Sequence, residues 1–212
     1  MTSVPEKPNA KGKLYASVQS ALEGISDGAS VLVAGYAGRG VPETLLRGLA
    51  EIGVGDLTLV CQGAWAQEPG KFGISDLVAT GQVKKMVSPL PFHPEYGGPV
   101  KDLWESGELE LEVVLQGVLA ERLRAGGAGI GGVFLPTGAR TRFAEGKELR
   151  PFDGKEHVLE FALKADIALL RAKTADTLGN MVYDGTGRNW NPIMAMAAAL
   201  TVAEVDDVFE PG

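Results

Sequence analysis

Cysteine and histidine are almost absent from this sequence, which contains only Cys61, His93 and His157. A single cysteine excludes a disulfide within the chain, and a zinc site would lack most of its usual sulfur and imidazole ligands. Catalytic arrangements of the Ser–His–Asp or Cys–His kind need an imidazole beside the nucleophile. Two histidines outside the strand ends do not supply one, so the sequence predicts neither a metal site nor such a nucleophile.

Blocks of basic residues and long apolar runs are also missing. The formal charge is -7 at pH 7, which argues against nucleic acid or an anionic membrane as a partner. No apolar run approaches the ~20 residues of a membrane span. The polar N-terminus lacks the apolar middle of a signal peptide. We therefore expect a cytoplasmic protein, with a flexible arm over residues 1–13 and a single domain over 14–212.

A glycine-rich turn between a short strand and a helix is the most informative stretch. Val31–Ala34 is an apolar run rich in β-branched residues, and Gly35, Gly38 and Gly40 follow it. From Pro42 the apolar residues recur at helical spacing until Gly53. This order predicts the βα unit of a ligand-binding α/β domain, in which the turn lets backbone approach a ligand.

Further strands with polar residues at their ends are predicted along the chain. Gln62, Ser88, Gln116 and Thr137 each follow an apolar strand-like segment. In an open parallel sheet the carboxyl ends of the strands share one edge, where ligands bind. The pattern predicts an open, mostly parallel sheet flanked by helices, with an antiparallel portion in the last third. The four polar residues would then converge on one crevice.

Two common ligands do not fit the glycine turn. The dinucleotide fingerprint needs G-x-G-x-x-G, whereas here the glycines stand in the reverse spacing at Gly35, Gly38 and Gly40. The Gly-Lys-Ser/Thr of a phosphate-binding loop is absent after Gly40. The sequence thus disfavours NAD and ATP.

No residue of the chain forms a convincing catalytic centre. Cys61 stands at a strand end, but a free cysteine is more often a buried apolar residue than a nucleophile. The polar cluster Arg188–Asn191 surrounds one tryptophan, and both a functional and a packing role stay open for it. A crevice lined by polar groups without a nucleophile suggests that a second polypeptide completes the site.

Seven ordered sequence blocks resemble the A (alpha) subunit of the family I CoA-transferases, which include the 3-oxoacid CoA-transferases. The resemblance begins near Tyr15 and covers nearly all the rest of the chain. The blocks are Gly35-x-x-x-x-Gly40-x-Pro42-Glu43, Leu115-Gln116-Gly117-x-Leu119-Ala120-Glu121-Arg122, Arg124-Ala125-Gly126-Gly127-Ala128-Gly129, Pro136-Thr137-Gly138, Phe152-Asp153-Gly154-Lys155, Ala175-Asp176-x-x-Gly179-Asn180 and Arg188-Asn189-x-Asn191-Pro192.

This resemblance implies the open α/β fold of that family and a partner, the B (beta) subunit, in an A2B2 assembly. CoA would pass from an acyl-CoA such as succinyl-CoA to a 3-oxoacid or other short carboxylate. A glutamate of the B subunit would carry it as a glutamyl-CoA thioester, so CoA is a substrate and no permanent cofactor is implied. The substrate-binding residues implied here are Gly35, Gly38, Gly40, Cys61, Gln62, Gln116 and Thr137, with Gln116 supporting catalysis.

Several departures from the family pattern fall on the crevice. The family's turn reads G-G-F-G-x-x-G-x-P, but Ala34, Tyr36 and Ala37 occupy three of its positions here. Its Ser-Asn-Asn after the second strand is replaced by Cys61-Gln62-Gly63. These changes predict altered acyl specificity, or a relative that hydrolyses a CoA thioester or cleaves a ring. A non-catalytic structural partner is the remaining alternative.

Overall fold

A six-stranded parallel sheet forms the centre of the protein. The computed structural model describes residues 12–64 and 70–211; the first eleven residues, and so most of the predicted arm, lie outside them. Every neighbouring pair in this sheet is parallel. Across the sheet the order is β11 (Ala198–Glu204), β8 (Ala165–Arg171), β1 (Ser30–Val33), β2 (Leu57–Cys61), β3 (Val83–Ser88) and β4 (Glu110–Val113).

Helices cover both faces of this sheet, as the sequence predicted. They are α1 (Val18–Ala21), α2 (Glu43–Ile52), α3 (Ile74–Ala79), α4 (Pro99–Glu105), α5 (Gln116–Gly127) and α6 (Asn191–Met196). In α2 the buried residues Leu45, Leu46 and Leu49 form one stripe, as their spacing indicated. Gly53 ends that helix in the left-handed conformation, with φ at 71°.

Alternation along the strands separates two hydrophobic cores. Leu57, Leu59 and Cys61 of β2 point into one core, whereas Val60 between them points into the other. Helices α2 and α3 contribute to the first core, and α5 and α6 to the second. Because both faces are buried there, the central strands β1, β2 and β8 are nearly continuous apolar runs.

Two small sheets complete the described part of the chain. One consists of β5 (Gly132–Leu135), β7 (Lys155–Phe161) and β6 (Leu149–Phe152), in that order and antiparallel. The other consists of β10 (Met181–Val182), β9 (Thr174–Asp176) and β12 (Asp207–Phe209). Short 3₁₀ turns lie at Arg142–Ala144 and Gly185–Arg188. The predicted antiparallel portion therefore exists, but outside the main sheet.

Some predicted elements differ from the structure. The apolar residues Val18, Leu22 and Ile25 stand at helical spacing, yet α1 covers only Val18–Ala21. Helices α3 and α4 were not predicted, because helices of six and seven residues give little periodicity. Among the described residues, no helix is both long and apolar enough to pass through a membrane.

Candidate active-site cleft

A cleft of about 1010 Å³ lies at the carboxyl edge of the parallel sheet. Its lining comes from the ends of four strands and from the loops above them. Its walls are the glycine turn 35–40, residues 63–64 after β2, residues 71–74 at the start of α3, the ends of β8 and β11, and the 3₁₀ turn near residue 186. This is the edge where open α/β sheets bind ligands.

The glycine turn forms a tight two-residue hairpin over the cleft. Tyr36 and Arg39 exchange two backbone hydrogen bonds of 2.9 Å each. Between them, Ala37 and Gly38 have φ values of 48° and 80°, as a type I′ turn requires. Alanine is strained in this region, by about 1–2 kcal/mol. The glycine that the family usually has at position 37 would adopt this conformation without that strain.

Two glycines of this turn allow close packing that no side chain would permit. Gly35 has φ at 122°, and a Cβ built on it would collide with Val41. Gly40 has φ at 68°, and its Cβ would collide with the carbonyl oxygen of Gly187. The turn is therefore pressed against the 3₁₀ turn on the opposite wall.

Two asparagines of the Arg188–Asn191 cluster hold these walls together. Asn189 Nδ2 donates to the carbonyl oxygens of Arg39, at 2.9 Å, and Thr186, at 2.7 Å. Asn191 is fully buried; its Nδ2 donates to the carbonyl oxygens of Gly40, at 3.2 Å, and Gly187, at 2.9 Å. The amide oxygen of Asn191 accepts from the backbone N–H of Arg171 at 2.9 Å. For these two residues the structure supports a positioning role.

Charged groups on the β8–β11 wall neutralise one another. Arg171 pairs with Asp206, Lys173 lies 3.0 Å from Asp206, and Arg171 Nε lies 3.7 Å from Glu204. Glu204 also accepts from the backbone N–H of Leu45 at 3.0 Å, at the N-terminus of α2. Burial raises the pKa of the Glu204 carboxyl above its ordinary value, although these donors oppose the rise. The sequence did not predict this wall. Its one signal in the sequence is Glu204, an acidic residue at the end of the apolar strand β11.

At the start of α2, the carboxylate of Glu43 is also held by several donors. Its carboxylate accepts from the backbone N–H of Phe72 at 3.1 Å and lies 3.2 Å from Arg47 and 3.1 Å from Lys71. These contacts, the Phe72 hydrogen bond foremost, hold the pKa of Glu43 below its usual range. The carboxylate thus anchors the segment before α3 to the start of α2.

Cys61 and Ser88 lie beneath the cleft and do not line it. Both are completely buried. Burial raises the pKa of the Cys61 thiol to about 12, so the thiol stays protonated at neutral pH. Ser88 Oγ donates to the carbonyl oxygen of Gln62 at 3.2 Å and accepts from the backbone N–H of Leu90 at 3.3 Å. Their position suits packing and strand-end alignment more than nucleophilic attack.

The remaining predicted site residues are spread along the edge. Gly35, Gly38 and Gly40 line the cleft, and Gln62 is buried one residue below its lining. Gln116 is exposed at the first position of α5.

Thr137 was expected at the edge of the parallel sheet, which is wrong, because β5 before it pairs antiparallel with β7. Its turn still packs near Gln116: a Cβ built on Gly138 would lie 2.9 Å from Leu115. The role of these residues in substrate binding stays a prediction.

The cleft offers mainly positioning groups. Its described lining includes no cysteine, serine or histidine. Of its carboxylates, Glu43, Glu204 and Asp206 are engaged in the contacts above, and Asp184 directly precedes the 3₁₀ turn. Such a wall can bind and orient a ligand through backbone groups and paired charges.

Comparison with known proteins agrees with this geometry. The model of the coenzyme A transferase family matches residues 15–212. The A subunit of 3-oxoadipate CoA-transferase from Pseudomonas putida is 44% identical over 200 residues, 94% of this chain and 85% of that protein. The A subunit of succinyl-CoA:3-ketoacid coenzyme A transferase from Xanthomonas campestris pv. campestris (strain B100) is 45% identical over 207 residues, 96% of this chain and 82% of that protein.

A solved structure extends the comparison to a different reaction. A variant of the decarboxylase AibA/AibB is similar with a TM-score of 0.78 and 26% identity, over 94% of this chain and 76% of that one. The family match spans the glycine turn, every strand of the parallel sheet and the asparagine cluster. This chain belongs to the coenzyme A transferase family.

Proposed function

We propose that this chain is the A subunit of a heteromeric CoA-transferase that moves CoA between an acyl-CoA and a short carboxylate. Succinyl-CoA or a similar donor and a 3-oxoacid acceptor are the substrates we infer. The observation that carries the proposal is a large cleft at the carboxyl edge, built on the glycine turn, whose described lining includes no cysteine, serine or histidine. Relatives more than 40% identical bear the name of the A subunit of such enzymes.

In the proposed reaction a partner glutamate carboxylate attacks the thioester carbonyl carbon and expels the CoA thiolate. The mixed anhydride then reacts with that thiolate at the glutamyl carbonyl, which releases the first carboxylate and leaves CoA on the glutamate. The acceptor carboxylate runs the same two steps in reverse. No proton or electron is gained or lost overall, so CoA acts as a substrate and the reaction requires no resident cofactor.

This chain would supply the opposite wall of the reaction chamber. Gly35, Gly38 and Gly40 let backbone approach the substrate. Gln116 is the first residue of α5, three residues beyond the end of β4 at Val113, and its amide would stabilise charge on the reacting oxygens. Gln62 and Thr137 are further proposed contacts, whereas the buried Cys61 would act only as packing beneath the cleft. An amide suits this task because it donates a hydrogen bond without a titrating charge.

The partner we infer is a B subunit, in an A2B2 assembly. The relatives are each named as one subunit of their enzyme, which implies a second subunit for those enzymes. Exposed apolar residues near the carboxyl edge, Tyr36, Leu90 and Tyr96, suit an intersubunit contact there. A cytoplasmic location stays a prediction.

The first test compares the chain alone with the chain co-purified with its candidate B subunit. The isolated chain is expected to transfer no CoA from succinyl-CoA to acetoacetate, because it lacks the attacking carboxylate. The pair is expected to be active. Transfer by the isolated chain, followed as acetoacetyl-CoA formation, would overturn the divided site.

A second test removes the proposed oxyanion donor. In the active pair, Gln116→Ala is expected to lower kcat by roughly 10²-fold, the usual loss for one such donor. Gln19→Ala is the matched control, since Gln19 is an exposed glutamine of α1 that contacts Glu51 at 3.3 Å. Equal rates for the two variants would remove Gln116 from the catalytic machinery.

A second candidate function is a different reaction of a CoA thioester on the same heteromeric scaffold. Similarity to the AibA/AibB decarboxylase favours it, because a related fold there carries a reaction other than CoA transfer. Hydrolysis or ring cleavage would belong to the same class. Product analysis of the pair separates the candidates. Transfer conserves both the total thioester and the carbon skeletons, whereas hydrolysis consumes thioester, decarboxylation releases CO2, and ring cleavage changes the acyl skeleton.

A further inference from the structure

A carboxylate on the wall of the cleft joins two elements that are distant in sequence. Glu204 ends β11 and lines the cleft, and its side chain is 15% exposed. Its Oε2 accepts from the backbone N–H of Leu45, in the first turn of α2, at 3.0 Å. Its Oε1 lies 3.7 Å from Nε of Arg171, the last residue of β8. One carboxylate therefore connects the start of α2 to the end of β8.

A carboxylate suits this bridge because both of its oxygens accept and neither donates. The amide of a glutamine would place its NH2 group against one of the two donors. The carboxylate is nevertheless unfavourable here, since burial raises the pKa of Glu204 above its ordinary value of 4.5, although Leu45 and Arg171 oppose the rise. An ionisable group kept in such surroundings beside a cleft is a candidate for a functional role.

Glu43, at the same end of α2, shows a carboxylate that stabilises the fold. Its contacts with Phe72, Lys71 and Arg47 hold its pKa below the ordinary value of 4.5. A lowered pKa means that the charge stabilises the folded chain, whereas the raised pKa of Glu204 means the opposite. Stability therefore explains the carboxylate at Glu43 but not the one at Glu204.

The bridge reaches the glycine turn through the start of α2. Only two residues separate Gly40 from this helix. From the other side, Asn191 donates to the carbonyl oxygen of Gly40 and accepts from the backbone N–H of Arg171. Arg171 is thus connected to both sides of the turn, and the connection on the α2 side is Glu204.

We propose that Glu204 is a positioning residue, which holds the glycine turn against the end of β8 by joining the start of α2 to Arg171. This inference rests on the proposed function, in which the backbone of the turn approaches the substrate. Arg171 is the charged group that faces Glu204 from β8, and its Nη2 pairs with Asp206; α2 faces Glu204 with its N-terminus. Without the carboxylate the turn can shift, and a misplacement of about 1 Å is enough to lower a rate about 10²-fold.

The first experiment measures hydrogen exchange in the free chain and does not depend on catalysis. Glu204→Gln is expected to speed exchange of the backbone amides of residues 36–46 roughly 10-fold, the effect of one lost hydrogen bond to a charged group. Exchange within α5, which packs in the other hydrophobic core, is expected to stay unchanged. The matched control is Glu51→Gln, at an exposed glutamate near the other end of α2, which is expected to exchange like the wild type. Unchanged exchange at 36–46 in Glu204→Gln, or equally faster exchange in α5, would overturn the proposal.

The second experiment compares melting temperatures at pH 8 and pH 5. A raised pKa means that the wild type gains stability as the pH falls through the folded-state pKa of Glu204 toward 4.5, whereas Glu204→Gln does not titrate there. The wild type is therefore expected to gain about 2 °C on this variant between pH 8 and pH 5. For Glu43→Gln the difference from the wild type is expected to stay constant, because the lowered pKa of Glu43 places its titration below pH 4.5. A constant difference for Glu204→Gln as well would show that the carboxylate is not unfavourable in the fold and would contradict the inference.

The third experiment measures turnover by the active pair. Glu204→Gln is expected to lower kcat about 10-fold and to change KM by less than about twofold, because the turn is misplaced while the substrate still binds. The wild-type kcat is expected to fall at acid pH as Glu204 becomes neutral, and Glu204→Gln is expected to lack this fall. Glu51→Gln is expected to keep both the rate and the pH profile of the wild type. A wild-type pH profile in Glu204→Gln would remove Glu204 from the positioning role.

The outcomes separate this inference from the proposed function. A wild-type pair that transfers no CoA from any donor would end the proposed function, and hydrogen exchange in the free chain would still decide whether Glu204 holds the turn. An active pair in which Glu204→Gln equals the wild type in kcat would leave the function intact and overturn the positioning role.

Discussion

Asn191→Asp is expected to destabilise the isolated chain by about 4 kcal/mol in urea unfolding. The change replaces the two N–H groups that face Gly40 and Gly187 by an oxygen, at a site with no solvent access. Two buried carbonyl oxygens lose their donors, and a carboxylate is placed against them. Each of these losses is costly where water cannot compensate.

Asn189→Asp provides the matched control, because Asn189 also donates to two carbonyl oxygens but is partly exposed. We expect a loss of about 1 kcal/mol there, since water replaces the donors. A similar loss at both positions would contradict the role given to Asn191.

The pH dependence of the Asn191→Asp variant supplies a further check. Burial would raise the pKa of the introduced carboxyl above its unfolded value of about 3.9. The loss of unfolding free energy caused by the buried carboxylate is then complete above the folded-state pKa. It diminishes as the pH falls through that pKa, because the carboxyl becomes neutral. The stability gap between variant and wild type should therefore narrow between pH 8 and pH 5.

Gly40→Ala is expected to destabilise the chain by about 3 kcal/mol and to separate the cleft walls. The added Cβ would collide with the carbonyl oxygen of Gly187 and lie 2.9 Å from Asn191 Nδ2. At φ of 68° it would also impose a left-handed alanine. Thermal unfolding measures the first effect, and faster proteolysis within residues 184–188 would report the second.

Gly53→Ala isolates the conformational part of that cost. Gly53 has nearly the same φ, 71°, but nothing lies within 4 Å of its Cβ position. We expect a loss of about 1 kcal/mol there. If the two alanine variants unfolded alike, the close contact between the glycine turn and the 3₁₀ turn would contribute nothing to stability.

Local patterns predicted the parallel sheet and the glycine turn well. The apolar stripe of Leu45, Leu46 and Leu49 and the stop at Gly53 were sufficient for α2, because helix periodicity is a local signal. Thr137 was misplaced because strand pairing is decided by distant residues: β5 pairs with β7, and no local pattern in Gly132–Leu135 indicates that partner.

The candidate site was only partly visible in the sequence for the same reason. The sequence singled out Gln62 by its position after a strand. Only the folded structure shows that its Nε2 is buried and has no hydrogen-bond partner among the described residues. The hydrogen bond between Asn191 and Gly40 joins residues 151 positions apart. The one between Glu204 and Leu45 joins residues 159 positions apart. Polar residues at such positions look like ordinary loop or helix-start residues until the chain folds.

These distant contacts determine when the cleft can form during synthesis. Strand β1 pairs with β8, Ser30 and Asp166 bind each other through three hydrogen bonds, and the glycine turn depends on residues 189–191. Closing such long loops is slow and yields no gain before both ends exist. A nascent chain on the ribosome therefore leaves this cleft unformed until residues 189–191 have emerged.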